Sequence, residues 1–152
     1  MTRSHQDGRR AAAAELEGRK GAYLLLLALD RPLDLAIRGR PASLAPGLYA
    51  YCGSAYGPGG LAARLSRHLR PGKKPHWHID RLTAAGRVVA AYAQPGGSEC
   101  ALLAALQAAP ETSIPLPGFG SSDCRSCPAH LVELPADAEL PGLPGLRRVL
   151  PG

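Results

Sequence analysis

The stretch from Gly47 to Arg70, GLYAYCGSAYGPGGLAARLSRHLR, constrains the fold more than any other part of the chain. Tyr49, Tyr51 and Gly53 alternate with Leu48, Ala50 and Cys52, a period of two that sends the tyrosines to one face of a strand and the apolar residues to the other. Glycines at 53, 57, 59 and 60 break that strand. From Leu61 the apolar residues recur at Leu65 and Leu69, the stripe that buries one side of a helix. Arg64 and His68 keep the same i, i+4 spacing on the flank of the stripe. A strand ending in tyrosines, turned through glycines into a helix carrying Arg and His, aims these side chains at one cleft.

A chain of 152 residues with 45% hydrophobic content suits one domain with its own core. No apolar run approaches the roughly 18 residues a bilayer span requires, and the longest, Ala22 to Leu29, has the length of a buried strand. The first turns of the chain are charged throughout and lack an apolar signal region, so a cytoplasmic location is expected. In that compartment the four cysteines are read as free thiols rather than disulfides. Net charge is +6, and its placement says more than its size. Arg64, Arg67, Arg70, Lys73, Lys74, Arg81 and Arg87 face the single acid Asp80 between Pro58 and Ala90, and the rest of the chain balances. Such a compact excess is the footprint expected for a phosphate backbone, although a merely solvated helix face would carry the same charge.

In chain order, residues 1–19 read as a flexible arm. Tyr23 to Leu29 is a strand apolar on both faces, as in the middle of a sheet. Leu33, Leu35 and Ile37 alternate as a second strand, and Ala42 to Leu44 is a short one at best. After the basic helix a Pro/Gly/Lys loop leads to His76-Trp77-His78, where a second helix begins that ends at Gly86. Val88 to Ala93 is another strand, and Ser98 caps a third helix with Glu99 in its first turn, where a carboxylate also complements the helix dipole. A last strand, Leu131 to Leu134, closes the domain at 20–134. Residues 135–152 read as a Pro-rich tail.

Gly21-Ala22-Tyr23 and Tyr51-Cys52-Gly53, followed by Arg64 and later Glu99, resemble the pattern of the GIY-YIG nuclease superfamily. The blocks YCGSAYGPGGLAARLSRHL, KKPHWHID, SEC and GFGSSDC resemble its Uri-type predicted endonuclease branch more closely. The resemblance implies an α+β fold: a small antiparallel sheet with a three-stranded core, inserted hairpin strands and flanking helices. It also implies a metal-dependent endonuclease acting on nucleic acid, DNA in preference to RNA. Tyr23 and Tyr51 fall at the tyrosines of the two motifs, one of them serving as general base. Arg64 falls at the arginine that contacts the scissile phosphate, His68 at a His or Tyr position one turn later, and Glu99 at the carboxylate that holds Mg2+ or Mn2+. The 28 residues between Tyr23 and Tyr51 exceed the usual spacing and require an inserted hairpin.

The chemistry stands on its own terms. Arg64 offers a planar fork of permanent charge to two phosphate oxygens. Magnesium keeps several waters and needs few protein ligands, so a single carboxylate is sufficient. A tyrosine of ordinary pKa, about 10, is a poor base at neutral pH unless nearby charge lowers it. Arg67, Arg70, Lys73, Lys74, His76 and His78 are the expected nucleic-acid contacts. Cys124, Cys127 and His130 have ligand types that zinc favours, with Cys100 the readiest fourth donor. Two other readings use the same residues: a non-catalytic nucleic-acid-binding module, and a zinc-stabilised protein-interaction domain in which the tyrosines only pack.

Overall fold

The structure is a computed structural model, and it describes residues 16, 18–70, 74, 77–120, 128–138, 140, 143 and 145–150. Its elements run β1 (Gly21–Leu29), β2 (Leu33–Ile37), β3 (Arg40–Leu44), β4 (Gly47–Ala55), α1 (Gly60–Leu69), α2 (His78–Ala85), β5 (Arg87–Pro95), α3 (Glu99–Ala108), β6 (Leu131–Leu134) and β7 (Arg147–Leu150). The fold is α+β. One five-stranded antiparallel sheet has the order β6-β4-β1-β5-β7, and β2 and β3 form a separate two-stranded sheet.

The doubly apolar β1 lies at the centre because both of its faces are covered. Tyr23, Leu25 and Leu27 pack with Tyr49, Tyr51, Leu61, Leu65, Ile79 and Leu82, on the side of α1 and α2. Ala22 and Leu24 pack with Ala50, Cys52, Leu102, Leu103 and Leu106, on the side of α3. The alternation along β4 therefore sends its tyrosines toward α1 and its apolar residues toward α3. Antiparallel register places Tyr23 opposite Gly53 and Leu25 opposite Tyr51. No helix among the described residues is long and apolar enough to cross a membrane.

Three features depart from the sequence reading. The inserted hairpin is present as β2–β3, but its second strand is longer than expected, Arg40–Leu44 in place of Ala42 to Leu44, with five paired positions from Leu33↔Leu44 to Ile37↔Arg40. Leu16, within the expected arm, is buried in the tyrosine-face core. Arg147–Leu150, within the expected tail, pairs with β5 at the sheet edge. The two strands share a cause: a strand of two to three inward residues carries little signal when prolines and arginines fill its outward positions.

Candidate active site

The two motif tyrosines are held against glycines. Gly53 pairs with Tyr23 across the β1–β4 ladder, and the end of the Tyr23 ring lies where a Cβ on Gly53 would stand. Gly120, at φ +69, covers Tyr51 so closely that a Cβ there would lie 2.9 Å from the ring. The Tyr23 and Tyr51 ring centroids are 6.3 Å apart, and His68 from α1 closes the cluster at 5.1 Å from Tyr23 and 6.1 Å from Tyr51. The Tyr23 hydroxyl is hydrogen-bonded to His68 Nε2 at 2.5 Å.

Burial keeps both motif tyrosines protonated. It raises the Tyr23 pKa well above 10; the neighbouring Tyr51 and Glu99 add to the rise, while Arg64 opposes it. Tyr51 is pushed up as well, again by burial first and Glu99 second, with Arg64 pulling the other way. Tyr23 is therefore neutral at rest, and its hydroxyl and His68 Nε2 share one hydrogen bond. A lone tyrosine as resting base, activated by Arg64, is not what the geometry offers. The Tyr23–His68 pair is covered, each residue 2% exposed, and Tyr51 beside it is 7% exposed.

Arg64 and Glu99 are the accessible members. Both act on both tyrosines, so the four residues share one neighbourhood even though α3 packs on the opposite face of the sheet. Arg64 lies 4.5 Å over the Trp77 ring, and no ion pair engages it among the described residues. Glu99 opens α3 behind the Ser98 cap, whose Oγ accepts from Ala101 N at 3.3 Å, and its side chain is 26% exposed.

Arg67 is differently employed. It makes a two-pronged contact with Asp80, 2.8 and 2.9 Å, and stacks 3.9 Å over Trp77. Asp80 also accepts from Trp77 N at 2.9 Å, so this pair fixes the start of α2 against α1. The expected phosphate contact is thus a structural clasp. Asp80, the only acid of the basic segment, is buried, and it is the residue the sequence reading passed over. Arg70 and Lys74 are exposed as expected, while Lys73 and His76 lie outside the described residues.

His78, expected to touch nucleic acid, accepts from Gly120 N through Nδ1 at 2.9 Å and stacks near Phe119, whose ring lies 6.2 Å from Tyr51. It pins the loop that covers Tyr51. Burial lowers its pKa below 6.5, and the charge of Arg38 lowers it further. The sign follows directly. The unfolded chain binds the proton more readily, so the contribution of His78 is complete above about pH 6.5 and is lost as pH falls below that value. The fluorescence of Tyr51 and Trp77 should report loosening of this loop on acidification, and His78→Gln should flatten that dependence.

Glu99, Cys100 and His130 bring donor atoms within 4.8 Å of one another. His130 Nδ1 stands 3.7 Å from Glu99 Oε2, too far for a hydrogen bond, and the buried Nε2 has no partner. The sulfur of Cys100 is in a disulfide. This corrects the expectation of free thiols, which holds for Cys52, buried with its thiol pKa raised. In the oxidised state the donors are therefore an oxygen from Glu99 and a nitrogen from His130. A carboxylate oxygen open to water fits a hydrated magnesium or manganese ion, and the nearby imidazole favours manganese of the two. Cys124 and Cys127 of the expected zinc set lie outside the described residues.

No curated protein and no solved structure matches the chain. One family model does, over residues 22–142, from the first motif strand past β6, and that span takes in every residue of the site. The chain therefore belongs to the family described as domain of unknown function DUF123.

Proposed function

We propose that this chain is a metal-dependent endonuclease of the GIY-YIG type that hydrolyses phosphodiester bonds in nucleic acid, DNA in preference to RNA. The observation that carries the reading is the convergence of an unpaired Arg64 and a partly exposed Glu99 on a buried Tyr23–His68 hydrogen bond. A packing cluster has no use for an uncompensated guanidinium and a carboxylate at its mouth.

In this reading Arg64 binds two oxygens of the scissile phosphate and meets the negative charge that grows there as water attacks. Trp77 beneath it holds the guanidinium plane in place. Tyr23 passes its hydroxyl proton to His68 as its oxygen takes the proton of the attacking water, so the phenolate is never the resting state. Tyr51 orients the water. Because Gly120 and Phe119 cover Tyr51, the loop pinned by His78 shifts when substrate engages. A divalent ion held by Glu99, with His130 beside it, would stabilise the leaving oxygen.

The test is a cleavage screen over single-stranded, duplex and branched DNA and RNA with magnesium, manganese or chelator. Cleavage that needs the ion supports the proposal, and salt-sensitive binding without cleavage assigns a binding module instead. Glu99→Gln should weaken Mn2+ binding, followed by spin resonance of the free ion, at least about tenfold. Unchanged affinity would remove Glu99 as the ligand.

A further inference from the structure

The β2–β3 hairpin ends in a two-residue turn, Arg38-Gly39, closed by the Ile37↔Arg40 pair. Both turn residues have positive φ, 53° at Arg38 and 77° at Gly39. A turn of this kind favours Asn-Gly, because the left-handed region is unfavourable for a long side chain bearing Cβ. The chain places arginine where a turn would select asparagine, a choice that gives up local backbone fit to hold a guanidinium at the tip. Arg40 follows on the other strand.

Arg38 and Arg40 are exposed, and neither forms an ion pair among the described residues. The hairpin's one acid, Asp34, stands opposite Ser43, away from the tip. Together with Ile37, Pro41, Leu116 and Pro117, the two arginines border an open groove of about 550 Å³. Contacts from the groove's edge reach the loop that covers Tyr51. The Arg38 guanidinium passes Gly118, whose missing Cβ would lie 3.6 Å from it, and Phe119 next in the chain packs on Tyr51. The charge of Arg38 reaches His78, which pins the same loop.

We infer that the hairpin tip is a second phosphate-binding contact, in which Arg38 and Arg40 grip the backbone of a nucleic acid beyond the contacts made by α1. The inference rests on the proposed nuclease reading for its occupant. Two permanent, planar charges beside a groove match a polymer that carries one negative charge per nucleotide.

The test is binding of a fluorescently labelled DNA duplex to the full chain in chelator, over a salt series, with Arg38→Asn, Arg40→Ser and the double variant. Each substitution should lower affinity and reduce the salt slope by about one, the double variant by about two. Arg38→Asn should at the same time raise Tm by about 2 °C, since asparagine accepts the left-handed turn. A gain in stability joined to a loss of affinity marks a ligand-directed side chain. An unchanged salt slope overturns the inference, and so does a fall in Tm that accompanies the loss of affinity. If the parent chain binds the duplex and the slopes fall as expected, but no substrate is cleaved with metal, the hairpin contact stands and the nuclease reading fails. If the parent cleaves while the slopes stay fixed, the hairpin contact alone is lost.

Discussion

Replacing Tyr23 with Phe should lower the single-turnover cleavage rate by about 10² to 10⁴ while leaving folding and nucleic-acid binding near the parent values. The ring that fills the space over Gly53 is kept, and only the hydroxyl bonded to His68 is lost. His68→Ala should cost a similar factor. Because the two groups share one proton, Tyr23→Phe in the His68→Ala background should cost little more, and the double variant should match the worse single variant. Tyr51→Phe should show a smaller loss, since the proposed mechanism has its hydroxyl orient the water and transfer no proton. Multiplicative losses at Tyr23 and His68 would mean that the two act separately, and parent rates in both variants would take chemistry away from the buried cluster.

The parts of this site that were legible in the sequence are those set by periodicity. The alternation along Gly47–Ala55 fixed the faces of Tyr49 and Tyr51, and the leucine stripe of Gly60–Leu69 placed Arg64 and His68 on the side of the tyrosines. Periodicity has no view of partners. Nothing in the pattern separates Arg64 from Arg67, because what distinguishes them is Asp80, brought up by the packing of α2 on α1. The hydroxyl of Tyr49 donates to Ala45 O, a local bond within its own turn that makes the residue structural. Residue type and spacing, the only guides in the sequence, make His78 a nucleic-acid contact and His130 a zinc ligand beside Cys124 and Cys127. The fold turns His78 to Gly120 and brings His130 beside Glu99, two contacts across long stretches of chain. Burial also works against the chemistry inferred from residue types: the same enclosure that gathers the tyrosines raises their pKa values, which is why the proposed mechanism pairs Tyr23 with His68.

Arg64 and Arg67, one helical turn apart on α1, should separate activity from stability. Arg64→Ala removes a guanidinium whose one described stacking partner is the Trp77 ring, an interaction worth about 0.5–1 kcal/mol at a partly exposed site. Alanine also favours the helix, so Tm should stay nearly constant. The cleavage rate should nonetheless fall by about 10² to 10³, the loss typical when a donor to a developing oxyanion is deleted. Arg67→Ala should do the reverse. It leaves the carboxylate of Asp80, whose side chain is fully buried, without its two-pronged partner, and the side chain of Arg67 is itself only 23% exposed. Breaking such a pair from the cation's side strands a buried charge at a cost of about 3 kcal/mol, or roughly 6–12 °C in Tm for a chain of this size. Asp80→Asn should cost less, because Arg67 can turn to water and the amide oxygen can still accept from Trp77 N. Thermal unfolding followed by Trp77 fluorescence and cleavage of one duplex under single-turnover conditions read the two quantities independently. Equal losses of rate in Arg64→Ala and Arg67→Ala at a temperature where both are folded would show that the phosphate is held by the whole basic face of α1. In that case the division of labour between its arginines would be abandoned.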